Sequence, residues 1–166
     1  VDSVLLHSPL ILHPKTNKRE GHFQETEINP IENVWLSKED FYCYPAKVGS
    51  LLAYVYFHKD FIFSGLSLAN LFELATTEEI ASRKPDIMVV FGNKEDSNDM
   101  VFHYDEENDM VVSKIAYQDK IEYFGYMKKI ILTSFNVAMM HRSYLPIHGA
   151  MVNIYLENKE KYGVVF

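Results

Sequence analysis

Apolar and polar positions follow two different rhythms along this chain, and the changes of rhythm mark its elements. Leu51 to Phe57 is a near-continuous Leu/Ala/Tyr/Val run, the pattern of a strand covered on both faces. Asp86 to Phe91 repeats that pattern as Ile-Met-Val-Val-Phe and closes on a Gly-Asn turn. Met100 to Tyr104 and Met110 to Ile115 flank the polar stretch Asp105-Glu-Glu-Asn-Asp109, which predicts a β-hairpin with an acidic tip. A calcium loop of the EF-hand kind needs Gly at its sixth position, where Met110 stands, so the tip reads as a solvated turn. Val4 to Leu12, interrupted by Pro9, predicts an edge strand or two short extended pieces. Trp35 to Tyr44 reads as extended and partly buried, ending at Pro45, and Phe61 to Phe63 as an extension or partner of the 51–57 strand.

Helical spacing appears in two places. Ser67 opens the first, with apolar Leu68, Leu71, Phe72 and Ala75; Thr76 and Glu79 add a capping box, and Pro85 enforces a stop by Lys84. For the second, Asp119 and Glu122 form a capping pair that predicts a helix from about Lys120 to about Arg142. Ile121, Phe124, Met127, Ile131, Phe135 and Ala138 fall on one face, which should be core. Glu122, Gly125, Tyr126, Lys129, Thr133 and Asn136 lie opposite. Apolar Ile130, Leu132, Val137 and Met140 fill the remainder, predicting burial nearly all round apart from a narrow polar seam. Beyond Tyr144-Leu-Pro, the strand Ile147 to Leu156 places His148, Ala150, Val152, Ile154 and Leu156 on one face expected to be buried, and Tyr162 to Phe166 returns beside it. Strands interleaved with two to three helices predict an α/β fold with a mixed sheet. The organisation expected is a lobe over residues 1–118, then a helix and strand pair over 119–166.

The 166 residues, 48% hydrophobic and 14% aromatic, suffice for a substantial core. A net charge of −7 opposes non-specific binding to nucleic acid or anionic membrane, since both require a positive surface field. The longest mostly apolar run, Ile130 to Met140, is too short to span a bilayer. The single cysteine, Cys43, has no intrachain disulfide partner, which fits a reducing compartment and leads us to expect the cytoplasm. His7, His13 and His22 show no zinc-ligand spacing.

Candidate chemistry gathers on the polar seam. Gly125 lies one turn before Lys129 and offers space beside the lysine for a ligand or for backbone, at a cost of about 1 kcal/mol relative to Ala. The same pattern also reads as a solvated helix face with an incidental Gly. His148, at the head of its strand, reads either as a hydrogen-bonded structural residue or as a ligand.

Tyr123-x-Gly125-x-Met127-Lys128-Lys129, followed by His148, resembles the helix and downstream metal-binding histidine of ATP-dependent phosphoenolpyruvate carboxykinases. His148-Gly-Ala-Met-Val-Asn-Ile-Tyr resembles the corresponding strand of HPr kinase/phosphorylase. Both resemblances cover roughly residues 119–166 and imply the same nucleotide-binding topology, with different substrates: a small molecule, oxaloacetate, or a phosphocarrier protein. They imply Lys129 and His148 as catalytic residues ligating Mn2+ or Mg2+, Tyr123 and Lys128 as substrate contacts, and ATP as phosphoryl donor. A lysine ligates a metal only as the neutral amine. The metal would bridge the substrate and the transferred phosphoryl group. No G-x-x-x-x-G-K-[ST] sequence occurs among the 166 residues, and Phe166 stands where such a loop is expected to begin. The chain is therefore expected to be the N-terminal portion of a larger enzyme, inactive alone. A non-catalytic binding or assembly domain on the same scaffold is the third reading.

Overall fold

Leu51, Ala53, Val55 and Phe57 share one face of their strand and are buried, and Leu52 is buried on the opposite face. Their strand lies near the middle of a mixed sheet in the computed structural model, which describes residues 18–95, 97, 99–157 and 160–166. In chain order the elements are β1 (Gln24–Glu25), β2 (Phe41–Val48), β3 (Leu51–His58), α1 (Ile62–Ser67), β4 (Glu73–Leu74), α2 (Thr77–Ser82), β5 (Ile87–Asn93), β6 (Met100–Asp105), β7 (Met110–Ala116), α3 (Gly125–His141), β8 (Met151–Tyr155) and β9 (Lys161–Val165). Seven strands form one sheet in the order β1-β6-β7-β5-β3-β2-β4, and β8 pairs with β9 separately. At the centre, β3, β5 and β7 run parallel; β2 and β6 flank them antiparallel. The α/β class with a mixed sheet and three helices is thus observed among the described residues. The extended segment expected at Val4 to Leu12, with His7 and His13, lies outside them.

One face of the sheet carries the core. Val55, Phe57, Val89, Phe91, Val111 and Ile115 point toward α3, which returns Ile121 (from the turn before it), Met127, Ile130, Ile131, Phe135 and Ala138. The expected helical stripe is therefore buried, except that Phe124 is half-buried. Burial all round is not observed: Leu132 and Met140 are exposed, because α3 lies on the sheet and only its inner side meets another layer. Within this core, Ser134 donates to the Ile130 carbonyl at 2.8 Å and meets the Ser113 hydroxyl of β7 at 2.6 Å.

Three local expectations need correction. Phe61 to Phe63 is helical, because Phe61 leaves the sheet to pack edge-on against Phe91, ring centroids 5.3 Å apart. Gly92, at φ +81°, leaves room for that ring: a Cβ there would come within 2.4 Å of it. The helix expected to open at Ser67 ends there instead, giving way to a short 3-10 turn. Finally, β2 runs through Pro45 to Val48. The Pro45 carbonyl accepts from the Ala75 N–H, so its imide nitrogen faces away from β3 and the β2–β3 ladder loses no donor. The Thr76–Glu79 capping box forms as expected, with both reciprocal bonds present.

Gly65 brings α1 onto β3. A Cβ at this buried position would lie 2.2 Å from the buried Phe57 ring. Overpacking costs about 1–3 kcal/mol and alanine recovers about 1 kcal/mol of helix propensity. Gly65→Ala is expected to destabilise the fold by about 2 kcal/mol, read as a lower urea midpoint.

Candidate functional site

The chain enters α3 through a break. Asp119–Glu122 forms a 3-10 turn whose N-cap, Gln118, makes no side-chain cap bond, and Tyr123 is extended, at φ −63° and ψ 116°. The α-helix proper begins at Gly125 rather than near Lys120, after this 3-10 turn. Gly125 accommodates the protein's own tyrosine: a Cβ would stand 2.4 Å from the Tyr123 ring, which also meets the Tyr126 ring edge-on at 6.4 Å. The space expected for a ligand is thus occupied at this point by Tyr123, which the glycine holds folded over the start of the helix.

Further along, the seam divides. Tyr126, expected on the polar side, is buried with its hydroxyl accepting from the Glu20 N–H at 2.9 Å, and it anchors the chain leading into β1. Lys128 and Asn136 are exposed. Lys129 and Thr133 lie between these extremes. Lys129 is half-buried and has no hydrogen-bond or ion-pair partner among the described residues, unlike Lys114, which bonds Glu95 at 2.9 Å. One turn on, Thr133 Oγ1 is buried and makes no hydrogen bond among the described residues. Gln118 Nε2 shares that condition.

His148 lies in the exposed link between α3 and the hairpin. The strand begins at Met151 rather than Ile147, and the face expected to be buried is exposed at Ala150, Val152, Ile154 and Leu156. Tyr162, Val164 and Phe166 of the facing strand are exposed too. A two-stranded hairpin supplies no second layer of its own, which accounts for this. No hydrogen bond joins Tyr123, Lys128, Lys129 and His148 to one another among the described residues, and no cluster of three or more His, Cys, Asp or Glu side chains there is arranged to hold a metal ion.

A second polar group was not foreseen. It sits where β3 and β7 end, on the side of a parallel sheet where ligands collect. His58 is 3% exposed, its ring held edge-on between Phe41 and Tyr117. Its Nδ1 accepts from the Asp60 N–H at 3.2 Å and so caps the following turn. Asp60 accepts from the Tyr117 hydroxyl at 2.9 Å and pairs with Lys94 at 3.6 Å; burial and this carboxylate push the tyrosine up to about 12. Lys59 closes the group on Asp40 at 2.6 Å. The sequence signal available was the polar residue following each buried strand. Since these members satisfy one another, the group reads as a structural clasp. Elsewhere, a cleft of about 580 Å³ at the β6–β7 tip is lined by Glu32, Asp105, Glu106 and Glu107, a charge that repels phosphate ligands.

No family model, curated protein or solved structure matches this chain. Among the described residues, no helix is long and apolar enough to cross a membrane.

Two outcomes are expected. Burial holds the His58 pKa below its ordinary value, helped by Lys94 and Lys59 and opposed by Asp60 and Asp40. The unfolded chain, in which histidine titrates near ~6.5, then binds the proton more readily than the folded one. The contribution of neutral His58 is complete above about pH 6.5 and is lost as pH falls below it through the folded-state value. Urea midpoints should fall more steeply from about pH 7.5 to about pH 5 in the parent than in His58→Asn, whose amide oxygen keeps the cap. Thr133→Val replaces an unpartnered buried hydroxyl by a methyl group and should stabilise the chain, by up to about 1–3 kcal/mol in the same assay.

Proposed function

We propose that this chain supplies the N-terminal lobe and the lysine–histidine half of a divalent-metal site to an ATP-dependent phosphoenolpyruvate carboxykinase-like enzyme, which converts oxaloacetate to phosphoenolpyruvate. The observation that carries this reading is Lys129: half-buried, without a counter-ion, and on the same side of α3 as a buried hydroxyl with no partner. Unpaired polar groups of this kind are costly, which favours a role outside the fold's own contacts. The Tyr123-x-Gly-x-Met-Lys-Lys helix and His148 supply the resemblance.

The donor set fits a metal in part. Lys129 and His148 offer two nitrogens, so the remaining ligands of a Mn2+ or Mg2+ ion would come from other residues, substrate or water. A bound ion would neutralise charge developing on the transferred phosphoryl group. The chain's own residues then have limited tasks. Lys129 presents its amine from the helix, Tyr123 covers the first turn, and Lys128 offers a positive charge to an anionic substrate. With no Walker sequence in the 166 residues, ATP in this reading is cradled by residues outside them. Action on such soluble substrates accords with a cytoplasmic location.

Two other readings have their own support. The His148 to Tyr155 segment does form a hairpin strand at its C-terminal end, which accords with a kinase-like relative acting on a phosphocarrier protein. The exposed apolar face of β8 and β9 accords with a binding or assembly domain.

Mn2+ titration decides for or against the metal site. Lys129→Ala and His148→Ala should each weaken Mn2+ affinity at least tenfold, about 1.4 kcal/mol, followed by the paramagnetic signal of the free ion. Affinity unchanged in both variants removes the carboxykinase-like reading of these two residues.

A further inference from the structure

We infer that a second copy of this chain adds to the outer edge of β8, strand against like strand about a two-fold axis, independently of any metal at Lys129. The pair then forms one antiparallel sheet in the order β9-β8-β8-β9. A two-stranded hairpin alone is marginal in water, and stability needs further strands or a covering layer. Among the described residues, β8 and β9 pair only with each other. They nevertheless carry a coherent apolar face. Directly opposed residues share a side of the sheet, so Val152 with Val164 and Ile154 with Tyr162 line up beside Ala150 and Phe166, and all six are exposed.

The backbone bonds show what each edge offers. Ala150 and Phe166 exchange bonds of 2.8 and 3.0 Å, and the Leu156 N–H donates to the Glu160 carbonyl at 2.9 Å. In an antiparallel pair such residues alternate with ones turned outward. Met151, Asn153 and Tyr155 therefore present their N–H and C=O groups to the open side of β8, as Lys161, Gly163 and Val165 do on β9. The two edges differ in chemistry. β9 carries a lysine, a charge that blunts an edge, and a central glycine with no side chain to pack. β8, Met-Val-Asn-Ile-Tyr, has no charge, glycine or proline.

Two features favour a like copy over a different partner. The β8 edge is self-complementary: with Asn153 opposite its own copy, Met151 meets Tyr155, Val152 meets Ile154, and each outward N–H finds a C=O. The apolar face then continues without a break across both copies. The net charge of −7 also lies entirely outside this region, since from Tyr144 to Phe166 Glu157 and Glu160 are balanced by Lys159 and Lys161. Two anionic chains repel one another least when they meet there.

Sedimentation velocity on the full 166-residue chain tests this. The parent should shift from monomer to dimer as its concentration is raised to about 100 μM. Asn153→Lys sets two like charges directly opposite each other across the axis and should weaken dimerisation at least about tenfold. Its thermal midpoint should stay at that of the parent, because residue 153 is exposed. Asn153→Asp should have the same effect. An equimolar mixture of the two variants should recover dimers, because lysine then opposes aspartate. An edge occupied by a different protein, or by another segment of this chain, gives no such rescue. A parent that stays monomeric throughout, a parent dimer indifferent to both substitutions, or a mixture no more dimeric than either variant alone overturns the inference.

Discussion

Three adjacent parallel strands carry the architecture, and their start is tied together by a single residue, Asp86. Asp86 accepts from the Leu52 N–H through Oδ2 at 2.7 Å while its own N–H donates to the Leu52 carbonyl. Its carbonyl accepts from Val111, and its other oxygen accepts from Arg142 at 2.6 Å, just past the end of α3. Residues of β3 and β7 and the residue just past α3 thus meet at Asp86, through its main chain and its carboxylate together, which ties the start of the three strands to the end of the helix. Arg142 extends the link to Asp109 at the β6–β7 tip. Because parallel strands cannot tolerate an uncovered face, the position of α3 follows from the sheet rather than from its own capping, which is absent at its N-terminus.

That dependence explains the division of the polar seam. A helix pressed onto a sheet must commit its flanks as well as its inner face, so Tyr126 becomes an anchor and Ser134 joins Ser113. Within α3, Lys129 and Thr133 remain uncommitted at intermediate depth among the described residues. They lie where α3 turns from the core toward solvent, a boundary at which a group can be partly desolvated and still reachable.

The central strands, the acidic hairpin and the Thr76 capping box were legible in the sequence because each rests on neighbours within a few residues. What was illegible rests on distant partners. Phe61 is helical because of Phe91 and the missing side chain at Gly92; Pro45 is tolerated because β4 lies along the other edge of β2. At the candidate site, the residue types on α3 could be read, as could the stripe that became core. The use of Gly125 could not, since it depends on how Tyr123 folds back after a break that periodicity does not register. Nor could the exposure of the His148 strand, because alternation marks a face as apolar without saying whether a second layer covers it.

The main sheet ends on each side in a strand of two residues, β1 and β4, and Pro45 withholds a donor on the latter side. On the β4 side only Ala46 and Lys47 of β2 are paired, so Phe41–Tyr44 have no partner strand along their outer edge among the described residues. In the hairpin, β8 and β9 each have one edge unpaired within their small sheet, and many of their side chains are exposed and apolar. Among the described residues, strand addition therefore has its openings at the hairpin edges and along Phe41–Tyr44 of β2. Of these edges the C-terminal hairpin carries the more apolar surface, so association by added strands would start there first.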